Sequence, residues 1–150
     1  MSLSTHGNVL EVLLVEDDPG DVAMTREALE EHGPPLNLHV VGNGEEALAF
    51  LRQQPPFAQS PRPALVILDL NLPRMSGQEV LAVAKADPSL LTIPIVVLTT
   101  STADRDVVRS YELHANAYVS KPVGFEPFVA AVRQIDQFFF STAELPSARP

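Results

Sequence analysis

Long apolar runs without alternation mark the strands of this chain. Val9 to Val15, Leu65 to Asp69 and residues 93–99 consist mostly of aliphatic side chains. Strands buried on both faces have this pattern, whereas a strand with one wet face alternates between apolar and polar residues. Two shorter segments, residues 37–41 and 116–120, complete a predicted set of five strands.

Amphipathic segments follow these strands and predict helices. In residues 44–54, for example, Leu48 and Leu51 fall on one side of a helix. Residues 55–63 carry four prolines and predict a surface loop. The five predicted helices cover residues 19–33, 44–54, 77–87, 103–114 and 125–140.

The alternation of strands and helices with short links predicts an α/β fold with a parallel sheet covered on both faces. Sites in such folds form beyond the carboxyl ends of the strands. The chain has 150 residues, enough for one domain with its own core. We expect an N-terminal extension at 1–8, the domain at 9–140 and a C-terminal tail at 141–150.

Composition narrows the possible functions. The net charge of −9 argues against nucleic-acid binding, which needs a basic surface. The absence of cysteine excludes disulfides and thiolate metal sites. Neither a leader peptide nor an apolar run of about 20 residues is present, so we expect a cytoplasmic protein that does not bind membranes.

Polar residues follow four of the five predicted strands. The acidic run 16–18 follows the first, Asp69 ends the third, Thr99 ends the fourth and Lys121 follows the fifth. Clustered carboxylates need a cation, and an all-oxygen set suits Mg²⁺. With a lysine nearby, such a site can neutralise a phosphoryl group, and an aspartate can itself accept one.

Each of these residues also has a purely structural interpretation. The acidic run could cap the following helix, and Asp69 could form a turn. Thr99 could be an ordinary strand residue, and Lys121 a solvated loop charge. Their joint occurrence at four strand ends favours a functional site.

The chain resembles the response-regulator receiver domains of two-component signalling. Four motifs carry the resemblance, in the order found in that family: LLVEDD, VILDLNLPRMSG, VVLTTS and YVSKPV. The resemblance covers residues 9–137. It implies a flavodoxin-like, doubly wound sheet of five parallel strands in the order 2-1-3-4-5, with five helices. It also implies a phosphoacceptor that catalyses only its own phosphorylation and slow autodephosphorylation, with Asp69 as acceptor, Lys121 and Thr99 assisting, and Thr99 and Tyr118 as the switch.

The same resemblance implies a Mg²⁺ site. Its ligands would be the Asp17 and Asp69 carboxylates and the Asn71 backbone carbonyl, with Glu16 acting through water. Asp18 directly follows the usual acidic pair, so either it caps the helix or the register slips by one residue. We favour Glu16 and Asp17 as the pair.

Longer segments, including SPRPALVILDLNLP, SYELHANAYVSKP and FFFSTAELP, resemble the single-domain regulators partnered with bacterial phytochromes. The resemblance implies a phytochrome-type histidine kinase as phosphodonor and output by protein–protein interaction. The chain departs from the family pattern at Thr100, which is larger than the usual small residue, and at Val123, which replaces an aromatic one.

The run Phe138 to Phe140 ends the last predicted helix. Neighbouring residues lie about 100° apart on a helix, so these three side chains cannot all face one core. We expect a homodimer through the face of the fourth and fifth predicted helices, extended by the tail, because exposed aromatic clusters are typical of interfaces. The alternative is that the tail 141–150 covers the cluster.

Two other functions remain in view. An aspartate-nucleophile phosphatase needs a second acid two residues after the nucleophile, where this chain has Asn71. A pseudo-receiver that binds partners without being phosphorylated would not need Asp17, Asp69, Thr99 and Lys121 together.

Overall fold

The computed structural model describes residues 9–32, 35–99, 115, 117–121 and 125–137. Nine elements lie within them, in the order β1 (Leu10–Val15), α1 (Pro19–His32), β2 (Leu36–Val41), α2 (Gly44–Leu51), β3 (Leu65–Leu68), α3 (Gly77–Ala86), β4 (Ile95–Thr99), β5 (Ala117–Ser120) and α4 (Phe125–Gln137).

All five strands form one parallel sheet in the order β2-β1-β3-β4-β5. In the centre, Leu14 of β1 pairs with Val40 of β2 and with Ile67 of β3. The predicted α/β fold, the parallel pairing and the strand order are confirmed. Four of the five predicted helices are described, and the helix predicted over residues 103–114 lies outside the described residues.

Helices cover both faces of the sheet, which explains the unbroken apolar runs. Leu13 packs into a core cluster with side chains of α2 and α3, whereas its neighbour Leu14 packs into a second cluster with side chains of α1 and α4. Successive strand residues point to opposite faces, so both must be apolar when both faces are buried. Within the described residues, no helix is both long and apolar enough to cross a membrane.

Within the described residues, two element boundaries differ from the predicted ones by more than one residue, each for a local reason. Helix α2 ends at Leu51 instead of residue 54, and Gln53 adopts a positive φ of 54°, which no α-helix accommodates. Strand β4 begins at Ile95 instead of residue 93, because Pro94 has no N–H to give to the ladder.

Candidate functional site

The site lies at the carboxyl edge of the sheet, where β1, β3 and β5 end. Glu16 follows β1, Asp69 follows β3 and Lys121 follows β5. The ladder continues to the first two residues, since the Glu16 N–H donates to the Val41 carbonyl at 3.0 Å and the Asp69 N–H to the Val15 carbonyl at 3.1 Å. The sheet register therefore fixes both carboxylates side by side.

Lys121 occupies the centre of the cluster. Its Nζ donates to Glu16 Oε1 at 2.5 Å, to Asp21 Oδ2 at 2.8 Å and to Asp69 Oδ2 at 3.0 Å. Its side chain is only 5% exposed, so these carboxylates replace the water that an exposed ammonium would bind. Each of the three ammonium protons thus has a carboxyl oxygen as its acceptor.

Asp21 is the member of this cluster that the sequence analysis missed. It lies in the first turn of α1, where an acidic residue is ordinarily explained by the helix dipole. The available signal was the spacing: Asp21 follows the acidic run 16–18 by about one helical turn, so it returns to the side of the helix that faces the strand end.

Burial and neighbouring charges shift the pKa values of Glu16 and Lys121. Glu16 is 4% exposed. Its burial, together with the charge of Asp69, raises its pKa from 4.5 to about 7, although the hydrogen bond from Lys121 works in the opposite direction. Burial lowers the pKa of Lys121, but its hydrogen bonds to Asp21 and Glu16 and the charge of Asp69 outweigh this, so the pKa lies above its ordinary value.

Three carboxylates can share one cation. Oxygens of Glu16, Asp17 and Asp69 lie within 4.8 Å of one another, with Glu16 and Asp69 buried and Asp17 exposed. An oxygen-only set that is open to solvent on one side suits a hard divalent cation that keeps some of its waters. Asn71 lies beside this set, because its backbone N–H donates to Asp69 Oδ1 at 3.1 Å.

Asp18 caps helix α1. Its Oδ1 accepts from the Gly20 N–H at 2.8 Å, and its backbone carbonyl accepts from Val22 at 3.0 Å. Its own N–H donates to Glu16 Oε2 at 3.1 Å. Of the two alternatives for Asp18, the structure places it at the N-cap and brings Glu16 and Asp17 to Asp69.

The turn after β3 holds Asp69 in place. The Gly77 N–H donates to the Leu70 carbonyl at 3.0 Å, and Ser76 and Glu79 form a capping box at the start of α3. A Cβ at Gly77 would collide with the Asp69 carbonyl oxygen and lie 2.7 Å from the Leu70 Cα. Only glycine allows the start of α3 to approach the phosphoacceptor candidate so closely.

The two residues of the predicted switch lie on neighbouring strands. Thr99 is the last residue of β4 and pairs with Ser120 in the ladder; its side chain lies outside the described part of the structure. Tyr118 lies on β5, opposite Val97, and packs partly buried against the core cluster of α2 and α3.

Comparison with known proteins gives consistent matches. Residues 12–133 match the response regulator receiver domain family. Response regulator Rcp1 of Synechocystis sp. is 44% identical over 137 residues, which cover 91% of this chain and 93% of that protein. A probable methanogenesis regulatory protein, FilR2 of Methanothrix harundinacea, is 37% identical, with 93% of this chain and 94% of that protein covered.

Solved structures agree with this picture. The Mn²⁺-bound form of response regulator Rcp1 is 43% identical, with a TM-score of 0.89 and coverage of 92% of this chain and 99% of that one. The phosphorylated cyanobacterial phytochrome response regulator RcpA is 43% identical, with a TM-score of 0.90 and coverage of 93% and 99%. The bacteriophytochrome response regulator AtBRR is 42% identical, with a TM-score of 0.70 and coverage of 83% and 91%.

Proposed function

The chain belongs to the response regulator receiver domain family, and from this premise we propose that it signals through phosphorylation of Asp69. The contact between Asp69 and Lys121 supports this choice, together with the family motif in which Asp69 stands at the acceptor position. Asp69 is a buried carboxylate, 6% exposed, whose Oδ2 accepts from the Lys121 ammonium at 3.0 Å. Such an ammonium offsets negative charge on an incoming phosphoryl group.

In the proposed transfer, an oxygen of Asp69 attacks the phosphorus of a phosphohistidine on a histidine kinase. The O–P bond forms as the P–N bond breaks, and the imidazole nitrogen leaves with the electron pair and takes up a proton from solvent. The Asn71 N–H on Oδ1 and Lys121 on Oδ2 orient the carboxylate before the donor arrives. We propose that the same residues promote phosphorylation by small donors and slow autodephosphorylation, in which a water molecule attacks the phosphorus and the Asp69 carboxylate leaves.

We propose Mg²⁺ as the cation of the acidic set. Asp17 and Asp69 would hold it, with the Asn71 backbone carbonyl, and with Glu16 acting through water. When bound, it supplies positive charge beside the phosphoryl oxygens. The oxygen-only donor set and the exposure of Asp17 support this assignment.

Thr99 and Tyr118 are proposed as the switch that reports phosphorylation. The Thr99 hydroxyl would bind a phosphoryl oxygen, and Tyr118 would then change its packing and alter the surface near β4 and β5. Their positions on adjacent strands support this coupling, since Thr99 pairs with Ser120, two residues after Tyr118. The output is then protein–protein interaction.

A phytochrome-type histidine kinase is the proposed phosphodonor. The likeness to RcpA and AtBRR, whose names record phytochrome partners, supports this assignment. Histidine kinases take their phosphoryl group from ATP, so we propose that the protein acts in the cytoplasm, where ATP is available.

A homodimer is proposed from the aromatic run Phe138 to Phe140, which lies outside the described residues. The sequence alone supports this, because three consecutive aromatic side chains cannot all enter one core. Sedimentation at micromolar concentration should show a dimer that Phe139→Asp or removal of residues 138–150 weakens. A wild-type monomer, with or without a phosphoryl mimic, contradicts the proposal.

Incubation with acetyl phosphate and Mg²⁺ tests the proposed function against its alternatives. A stable adduct carrying one phosphoryl group, seen by intact-protein mass spectrometry, is the expected result. Continuous turnover of the donor without an adduct would indicate a phosphatase. No reaction in the presence of Mg²⁺ would indicate a binding module that is not phosphorylated.

A further inference from the structure

Asp21 differs from the other two carboxylates that hold Lys121. Glu16 and Asp69 both belong to the set that can bind a cation, and both also accept a backbone N–H, from Asp18 and Asn71 respectively. Asp21 lies outside that cation-binding set. Among the described residues, the hydrogen-bond partner of its carboxylate is Lys121 alone.

The first turn of α1 fixes the position of Asp21. Thr25, which is buried, donates its hydroxyl to the Asp21 backbone carbonyl at 2.7 Å. Asp18 caps the same turn. The Asp21 side chain is 20% exposed, and its Oδ2 lies 2.8 Å from the nearly buried Lys121 ammonium. Asp21 thus presents a rigidly placed anion to Lys121 from the helix side of the site.

Cation binding and phosphorylation change the partners of the Glu16 and Asp69 oxygens but not those of Asp21. A divalent cation competes with Lys121 for the oxygens of Glu16 and Asp69. A phosphoryl group on Asp69 consumes one of its oxygens outright. Lys121 needs a partner that persists through both events, because a four-carbon side chain without one explores many rotamers.

We propose that Asp21 is a positioning residue: it anchors the Lys121 ammonium so that it stays aimed at Asp69 while Glu16 and Asp69 exchange partners. This inference rests on the proposed phosphorylation of Asp69. Asp21 itself touches neither the donor nor the cation, and it acts through Lys121.

Two substitutions in the same turn of α1 separate this role from a general effect of charge. Asp21→Ala removes the anchor, and Asp18→Asn removes one negative charge nearby while keeping an efficient N-cap. At saturating Mg²⁺ and fixed acetyl phosphate, we expect Asp21→Ala to slow adduct formation about tenfold and Asp18→Asn to change it less than about twofold. Asp21→Asn, which retains a weaker acceptor, should fall between them and serves as the second variant.

The affinity for Mg²⁺ is the first readout besides rate. Both Ala and Asn variants at position 21 should bind Mg²⁺ within about twofold of Asp18→Asn, because Asp21 holds no cation. The second readout is the ¹⁵N ammonium signal of Lys121 in the unphosphorylated protein. The ammonium protons should exchange slowly with water, and the signal should be visible, in Asp18→Asn. In Asp21→Ala one N–H has no acceptor, so exchange should be fast and the signal should be lost.

Several results overturn the proposal. They are equal rates for Asp21→Ala and Asp18→Asn, a faster rate for Asp21→Ala, or a loss of Mg²⁺ affinity specific to position 21. If the wild-type protein forms no adduct, the proposed function fails, and the Lys121 signal alone then decides whether Asp21 anchors the ammonium.

Discussion

Burial raises the pKa of the Glu16 carboxyl group above the ordinary value of an exposed glutamate. It is held between the Lys121 ammonium, the Asp69 carboxylate and the Asp18 N–H. Its pKa rises from 4.5 to about 7, mainly because the ionised form is removed from water. In the folded, cation-free protein, Glu16 therefore changes its charge near neutral pH.

This shift predicts how stability depends on pH. Because the folded protein holds the Glu16 proton more tightly than the unfolded chain, the stabilisation is complete below about pH 4.5 and is lost as pH rises to about 7. Glu16→Gln removes this contribution. In urea unfolding in EDTA, the free energy of unfolding of the wild type relative to that of Glu16→Gln should fall as the pH rises from about 5 to about 8. Parallel profiles for the two proteins would contradict the shift.

The sequence could predict Glu16, Asp17, Asp69 and Lys121 as neighbours because each lies at a strand end, and parallel strands end at one edge. It could not show which side chain meets which. The contact of Asp21 with Lys121 depends on the angle at which α1 leaves β1, and that angle is set by packing on the sheet instead of by any local pattern.

At the scale of elements, the start of α3 controls the position of Asp69. Gly77 lets the helix approach the Asp69 and Leu70 backbone, and the Ser76–Glu79 capping box fixes where the helix begins. The sequence showed the helix and its glycine, but the close approach is a tertiary contact that no periodicity reveals. Apolar patterns predicted the strands well. They did not predict the end of α2, which depends on the backbone conformation of Gln53.

Gly77→Ala tests this role. Its Cβ would collide with backbone atoms, which cannot move aside as a flexible side chain would. We expect a loss of about 1–3 kcal/mol in the free energy of unfolding and slower phosphorylation. The matched control is Gly42→Ala, whose Cβ would meet Glu46 Oε1 at an ordinary 3.9 Å. Equal stability of the two variants in chemical denaturation would contradict the proposed close approach.

At the scale of the whole molecule, the strand order creates the site. Strand β2 lies on one side of β1, and β3 lies on its other side. The adjacent strands β1 and β3 are therefore followed by connections that lead to opposite sides of the sheet. A crevice at such a switch point is a usual ligand site in open α/β sheets. The sequence predicted this arrangement through the family resemblance; strand periodicity alone gave the parallel sheet but not its order.

Cation binding should be measurable as stability of the whole domain. The proposed Mg²⁺ would bind the assembled acidic set but not the unfolded chain. Above its dissociation constant, each tenfold rise in Mg²⁺ should therefore add about 1.4 kcal/mol to the free energy of unfolding. The effect should shrink strongly in Asp17→Ala, which lacks one candidate ligand. Thermal melts of the wild type that are indifferent to millimolar Mg²⁺ would count against the cation site.

The most direct test of phosphorylation at Asp69 compares the wild type with Asp69→Asn, using phosphorylated histidine kinase as donor and Mg²⁺. The amide removes the nucleophile and relieves repulsion in the acidic cluster, so the variant should fold with equal or higher stability. Intact-protein mass spectrometry should then show one added phosphoryl group on the wild type and none on Asp69→Asn. Substantial labelling of a folded Asp69→Asn protein would contradict Asp69 as the acceptor.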